Sequence, residues 1–238
     1  MTGPKSVLPA LLAAEQGRRQ EVKIGLIGGT GAEGKGIGLR LAAAGFEVGL
    51  GSRRRDRARE TAEELNRQIG STAIRGMENG RLIETCQLLF LTVPFVHAGP
   101  LLEEHHHRFK SEHTLVDVTV PVGFEKGPRL LGLEEDSGSE HLLKRLPPGV
   151  PLVGAFKTLP AHLLCDLGSR LDCDEWVCSD SAKARRRVME VVRRIPDLRW
   201  LDGGALRYCR CLEAMTVMAI AANRRYRVQN CRFRLTGL

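Results

Sequence analysis

The feature that most constrains this chain is Gly29-Thr30-Gly31-Ala32-Glu33-Gly34, a G-x-G-x-x-G turn set between two periodic segments. Before it runs Val22-Lys23-Ile24-Gly25-Leu26-Ile27, a short β-branched strand. After it comes a helical pattern through Ile37, Leu39 and Leu41, stopped by Gly45. Strand, glycine turn and helix in that order is the pattern of a phosphate-binding crossover. A first glycine permits the tight turn, a second lets backbone approach a pyrophosphate, and a third lets the helix pack on the strand. The helix N-terminus then offers free N–H groups and a partial positive charge to an anion. Glu33 puts a carboxylate near that anion site; either Lys35 offsets it or the side chain points outward along the helix.

Downstream the alternation continues. Strands are expected at Glu47–Gly51, Ala73–Ile74, Leu88–Val93, Thr114–Val118, Leu152–Ala155, Glu175–Cys178 and Leu198–Leu201. Helices are expected at Asp56–Gln68, Arg81–Thr85, His97–Arg108, Leu159–Leu167, Ala182–Arg194 and Ala205–Ala222. Strands alternating with helices predict an α/β protein, a Rossmann-type doubly wound parallel sheet covered on both faces. Gly123 to Gly149, rich in Gly, Pro and Glu, reads as the least structured internal stretch, a loop or domain joint. The chain is therefore divided into an N-terminal extension over residues 1–21, a nucleotide-binding Rossmann domain over 22–150, and a smaller C-terminal α/β portion over 151–238 that is expected to complete the site and to dimerise.

The second strand identifies the dinucleotide. An NAD site carries Asp or Glu about 20 residues past the glycines, on the ribose 2′-hydroxyl. Here the strand ends Gly51-Ser52-Arg53-Arg54-Arg55, with Arg57 a turn beyond. A carboxylate would repel a 2′-phosphate, whereas a hydroxyl and a guanidinium fork bind one. NADP(H) is expected, on Ser52, Arg53 and Arg57. The Tyr-x-x-x-Lys pair of short-chain dehydrogenases is absent: Tyr208 and Tyr226 are followed four residues later by Leu212 and Asn230. No G-x-S-x-G nucleophile elbow occurs either. With no acid–base pair standing out, no catalytic side chain is assigned, and the chemistry is expected to reside in the cofactors.

Several segments together resemble the NADPH-dependent reductases of coenzyme F420, also called F420H2:NADP oxidoreductases. Lys23 to Gly31, Gly34-Lys35-Gly36 and Gly51-Ser52-Arg53-Arg54 carry the likeness at the cofactor turn. Leu91-Thr92-Val93-Pro94-Phe95 resembles the family's loop against the nicotinamide. Gly154-Ala155-Phe156-Lys157-Thr158-Leu159-Pro160-Ala161 resembles a signature near the deazaflavin pocket. Cys178-Ser179-Asp180 and Arg210-x-x-Glu213-x-x-Thr216 also fit. The resemblance implies hydride transfer between NADP(H) and the deazaflavin F420, a small-molecule acceptor, held face to face. It further implies that Gly29, Thr30, Gly31, Ala32, Glu33 and Gly34 cradle the pyrophosphate and that Thr92, Val93, Pro94 and His97 set the nicotinamide. Ala155, Lys157, Thr158, Leu159 and Pro160 would form the opposite wall. The sequence departs from the family pattern at Ala32-Glu33, where Asn or Gln and apolar residues are usual, at Lys157, where Asn or His is common, and in the more basic Arg224-Arg225-Tyr226-Arg227. These departures leave open FMN or FAD as acceptor, a ferric reductase, or a non-catalytic NADP(H)-binding sensor.

Composition narrows the partners. With 36 Lys and Arg against 28 Asp and Glu the formal charge is +8, which suits an anionic cofactor. Aromatic residues are 5%, few of them beside Arg185-Arg186-Arg187 or Arg224-Arg225, so no nucleic-acid partner is expected. No apolar run approaches the roughly 20 residues of a bilayer span, so no membrane partner is expected. Three consecutive histidines, His105-His106-His107, point in different directions on a helix, and no metal site is expected. Seven irregularly spaced cysteines read as reduced thiols of a cytoplasmic protein. The apolar face of the last helix, with Leu212, Met215 and Met218, reads as core or as the interface of a homodimer.

Overall fold

A computed structural model describes residues 23–238; the extension expected over residues 1–21 lies outside the described residues. In chain order the elements are β1 (Ile24–Ile27), α1 (Ala32–Ala43), β2 (Val48–Ser52), α2 (Arg55–Ile69), β3 (Ile74–Glu78), α3 (Asn79–Thr85), β4 (Leu88–Leu91), α4 (Phe95–Glu104) and β5 (Thr114–Asp117). Then follow β6 (Val122–Gly123), β7 (Arg129–Leu130), α5 (Gly138–Leu143), β8 (Leu152–Gly154), α6 (Ala161–Cys165), β9 (Cys173–Cys178), α7 (Ala182–Val192), β10 (Leu198–Gly204) and α8 (Cys209–Tyr226).

Eight strands form one sheet in the order β10-β9-β8-β5-β4-β1-β2-β3, and β6 pairs with β7 in a separate antiparallel ribbon. From β3 through β8 each neighbouring pair is parallel. The β8–β9 joint is antiparallel, at Gly154 and Cys178, and β9–β10 is parallel again. From β1 the chain steps to β2 and β3 on one side and to β4 and β5 on the other. That reversal leaves a crevice above the C-terminal ends of β1 and β4, where α/β sheets take ligands.

Side-chain alternation explains why both faces are covered. On β4, Leu88 and Phe90 pack with Ile24, Leu26 and side chains of α1, α2 and α7, whereas Leu89 and Leu91 pack with α3, α4 and α8. A strand apolar at every position is stable only when helices lie on both sides. The buried Arg40 ties α1 to the segment carrying α6, donating from Nη2 to the carbonyl of Leu163 at 2.8 Å and from Nε to Leu164 at 3.1 Å.

Two features depart from the sequence reading. The stretch from Gly123 to Gly149 is not bare loop, since it holds part of the β6–β7 ribbon and all of α5. Helix α5 opens on an N-cap: Ser137 Oγ accepts from the Glu140 N–H at 3.2 Å and donates to Glu140 Oε2 at 2.8 Å. Residues 22–150 and 151–238 also share one sheet, because β5 and β8 pair directly at Leu115 and Leu152.

Candidate active site

The glycine turn forms because β1 must reverse into α1 within four residues. Gly28 takes a left-handed φ of 73°, and its N–H donates to Asn79 Oδ1 at 3.1 Å. Gly29 and Gly34 then meet backbone to backbone: a Cβ on Gly34 would lie 2.5 Å from Gly29 Cα. These two glycines are buried and serve helix–turn packing. Around Gly31, by contrast, nothing lies within 4 Å of where a Cβ would sit. That open space above the helix N-terminus is what the approach of a phosphate requires.

Two cavities meet at this turn. One, of about 350 Å³, is lined by Thr30, Gly31, Ser52, Arg53, Arg57 and His97, among others. Arg53 and Arg57 are exposed and hold no ion pair among the described residues, so both guanidinium groups are open to an anion. Ser52 Oγ accepts from the Arg54 N–H at 3.2 Å, which orients the hydroxyl at the mouth of the same cavity. The other cavity, of about 630 Å³, runs from Gly31, Ala32 and Glu33 to the loop of Phe156, Lys157, Thr158, Leu159 and Pro160. Gly31, Thr92, Val93 and Pro94 border both cavities. Thr92 is held there by donating from Oγ1 to the Ile27 carbonyl at 2.9 Å, which staples the β4 loop to the end of β1.

Most of the expected residues thus converge, with exceptions. Gly29 and Gly34, expected to cradle the pyrophosphate, border neither cavity, because each is packed against the other's backbone. Ala155 is fully buried and borders neither cavity; it follows β8 behind the wall. Lys157 borders the larger cavity, but its ammonium group is turned away from it and sealed in the protein. Nζ donates to Asp117 Oδ2 at 2.8 Å and to the Thr119 carbonyl at 2.5 Å, with Glu213 Oε1 at 3.4 Å. Burial alone would drive its pKa down, but the carboxylates of Asp117 and Glu213 more than offset that and hold Lys157 above its ordinary value, charged. Burial raises the Glu213 carboxyl in turn, against the pull of Lys157. This cluster connects β5, the 156–160 loop and α8, and Thr216 Oγ1 adds a 2.8 Å hydrogen bond to the Lys157 carbonyl.

The loop so anchored is strained and donor-rich. Phe156 has φ 59°, a left-handed conformation for a large residue, and is buried against Phe90 with ring centroids 5.5 Å apart. Its N–H donates to Glu175 Oε1 at 2.5 Å. The N–H groups of Lys157, Thr158 and Leu159 make no hydrogen bond among the described residues. Donors of this kind beside an apolar wall suit a flat heterocycle with carbonyl edges.

Sequence reasoning missed Asn79, Thr119, Phe124 and the α8 residues Ile220 and Asn223. Asn79 stands 51 residues from the glycine it supports, with no local signal. Glu213 and Thr216 sat in a family-like pattern on a helix read as apolar packing; their polar spacing down one helix face was the available sign. Each arginine run has a member engaged within the fold: Arg185 pairs with Asp202 at 2.6 Å, and Arg224 stacks 5.2 Å over the Phe124 ring.

A Rossmann-type sheet with a glycine turn, an arginine-lined ribose cavity and a second cavity opening on the same loop defines an NADP-linked oxidoreductase. Residues 23–121 match the family model for NADP oxidoreductase, coenzyme F420-dependent. The chain belongs to this family. It is 31% identical over 223 residues to the F420-dependent NADP reductase of Methanothermobacter marburgensis, covering 91% of this chain and 99% of the relative. The reductase of the same name from Methanocaldococcus jannaschii is 29% identical over 91% and 99%. Among solved structures, a candidate F420-dependent NADP reductase of Arthrobacter sp. FB24 superposes with a TM-score of 0.76 at 21% identity, over 91% of this chain and all of that one. A pyrroline carboxylate reductase of Plasmodium falciparum shares the fold with a TM-score of 0.56 at 12% identity, over 87% and 65%.

Proposed function

We propose that this chain moves a hydride between NADP(H) and coenzyme F420, with the dinucleotide in the smaller cavity and the deazaflavin in the larger. The single observation that carries this reading is the meeting of the two cavities along Gly31, Thr92, Val93 and Pro94. The cofactors supply the chemistry: a nicotinamide carbon gives or takes the hydride and a deazaflavin carbon takes or gives it. The protein has to bring two flat rings to about 3–3.5 Å in an aligned pose.

Gly31 and the free N–H groups at the start of α1 hold the pyrophosphate; Ser52, Arg53 and Arg57 hold the 2′-phosphate. Val93 and Pro94 form one flat wall and the 156–160 loop the other, so that water is excluded between them. The open N–H groups of Lys157, Thr158 and Leu159 face charge developing on the reduced acceptor, where pre-aimed donors are worth most. Lys157 acts through the backbone it anchors, since its ammonium cannot reach the cavity. Exposed Met218, 66% accessible on α8, suits burial by a second copy in a homodimer. Seven free thiols suit the cytoplasm. Among the described residues no helix is long and apolar enough to cross a membrane.

Anaerobic oxidation of NADPH against F420, FMN and FAD tests the reading. The expected result is turnover with F420 well above that with either flavin. Equal or higher turnover with FMN or FAD would reassign the acceptor, and NADPH binding without turnover on any of them would make the chain a sensor. Sedimentation velocity tests the dimer, which a monomer at micromolar concentration would exclude.

A further inference from the structure

Beneath the glycine turn lies a pair of carboxyl groups to which the hydride transfer gives no role. Glu33 stands in the first turn of α1, within the motif itself, and borders the larger cavity. Its Oε1 is sealed from solvent and has no hydrogen-bond partner among the described residues. Glu175 comes from β9, on the other side of the crevice. Its Oε1 is taken by the Phe156 N–H, and its Oε2 is likewise buried and unpartnered. Glu33 is close enough to Glu175 for the two carboxyls to disfavour each other's ionisation.

Among the described residues the neighbouring cations are held by other partners, and Lys157 opposes the rise of Glu175 by less than burial drives it. Lys35, the neighbour placed to neutralise Glu33, is paired with Glu64 at 2.9 Å. Arg40 is spent on backbone carbonyls around α6, and Lys157 on Asp117, Thr119 and Glu213. From α6 the group facing Glu33 is the Cys165 thiol, which burial keeps neutral and which lies 3.5 Å from the Ala32 carbonyl. From β9 the Cys173 thiol faces Glu175 and is also kept neutral by burial. Burial pushes each carboxyl up to about 8. Both carboxyls are therefore held protonated at neutral pH, and ionisation of one pushes the other higher still.

The consequence follows from location. A helix N-terminus stabilises one negative charge placed in its first turn. An ionised Glu33 and a docked pyrophosphate would compete for that same field and repel each other across a poorly screened interior. We propose that Glu33, backed by Glu175, is an affinity-determining residue for the dinucleotide: it must carry a proton for the pyrophosphate to dock. The claim rests on the dinucleotide site assigned above and adds to it a linkage between cofactor binding and one proton.

The dissociation constant of NADP+ is measured by calorimetry from pH 6.5 to 9.5 on the full chain. A parallel titration uses 2′-AMP, which has the ribose phosphate but no pyrophosphate. For the wild type, NADP+ affinity should be level below pH 8 and weaken by up to about tenfold per pH unit above it. The 2′-AMP affinity should change by less than about twofold over the same span. Glu33→Gln should bind NADP+ with level affinity throughout, and Glu175→Gln should move the break to lower pH by easing ionisation of Glu33. In buffers of different ionisation enthalpy, wild-type binding at pH 9 should take up close to one proton, a measurement that needs no variant. A pH-independent NADP+ affinity in the wild type overturns the proposal. So does an equal slope for 2′-AMP, or a slope that survives in folded Glu33→Gln. Failure of wild-type NADP+ to bind at any pH would instead refute the dinucleotide site itself.

Discussion

Two glycines of one motif should fail in different ways when given a methyl group. At Gly34 a Cβ would lie 2.5 Å from Gly29 Cα, 2.6 Å from its carbonyl oxygen and 2.7 Å from its carbonyl carbon. Ordinary contact is about 3.5–4.0 Å, so Gly34→Ala forces α1 off the turn by roughly 1 Å. Overpacking against backbone costs about 1–3 kcal/mol, of which alanine's helix propensity returns about 1 kcal/mol. A net loss of up to about 2 kcal/mol lowers Tm by up to roughly 8 °C for a chain of this size. Gly31→Ala meets no atom within 4 Å, and the residue's φ of −78° and ψ of 170° suit any side chain. Its Tm should match the wild type. Both variants should bind NADPH about tenfold or more weakly, since losing one hydrogen bond to a charged phosphate costs about 1.5–3 kcal/mol. Differential scanning calorimetry and fluorescence titration read the two effects separately. If Gly34→Ala kept both Tm and affinity, or if Gly31→Ala lost as much stability as Gly34→Ala, the division of labour argued for these glycines would be wrong.

Other substitutions probe the rest of the site. Arg53→Ala should raise KM for NADPH about 10- to 100-fold, one charge-assisted contact's worth, and leave KM for NADH nearly unchanged; equal loss for both would remove Arg53 from the 2′-phosphate. Lys157→Met leaves Asp117 and Glu213 buried without their cation and should cost about 3–5 kcal/mol in urea unfolding. A loss under 1 kcal/mol would show the cluster relaxing around a neutral Glu213. Asn79→Ala strips the acceptor from the Gly28 N–H and should cost about 1–3 kcal/mol together with weakened NADPH binding; unchanged stability would mean that the turn holds itself. Glu175 is pushed from its ordinary 4.5 up to about 8 in the folded protein. Between those values the folded chain keeps a proton the unfolded chain releases, so stability falls as pH rises from about 4.5 to 8 and levels off beyond. Glu33, pushed up to about 8 as well, adds a slope of its own over that window, so Glu175→Gln should reduce the fall of Tm and Glu33→Gln with Glu175→Gln should flatten it; an unchanged slope in the double variant would place the titration elsewhere.

Local patterns were legible where local forces dominate. The β1 strand, the glycine turn, the α1 stop at Gly45 and the Ser52–Arg57 cluster all sit within about 35 residues, and chain geometry brings them together with little help. The dinucleotide half of the site could be read on that account. The acceptor half could not, because its walls come from β4, the 156–160 loop and α8, and only packing sets their separation. Ala155 and Lys157 show the cost: a signature in one dimension does not say which side chains turn inward. Helix α5 was overlooked although Ser137 and Glu140 stand at capping-box spacing, because the surrounding Gly and Pro masked the short periodic run.

Glu33 shows the limit most plainly. From its neighbours alone, Lys35 could neutralise it or the helix could carry it outward, and the linear chain offers no means to choose. The fold closes both options by giving Lys35 to Glu64 and by bringing Glu175 from β9 into the same dry space. Spacing and periodicity were enough to establish a parallel sheet, a phosphate turn and a preference for a 2′-phosphate, since each depends on residues a few positions apart. Burial and the pairing of charges across more than 140 residues are properties of the assembled interior, where removal of water makes an unmatched carboxyl costly. Only the tertiary structure could decide them.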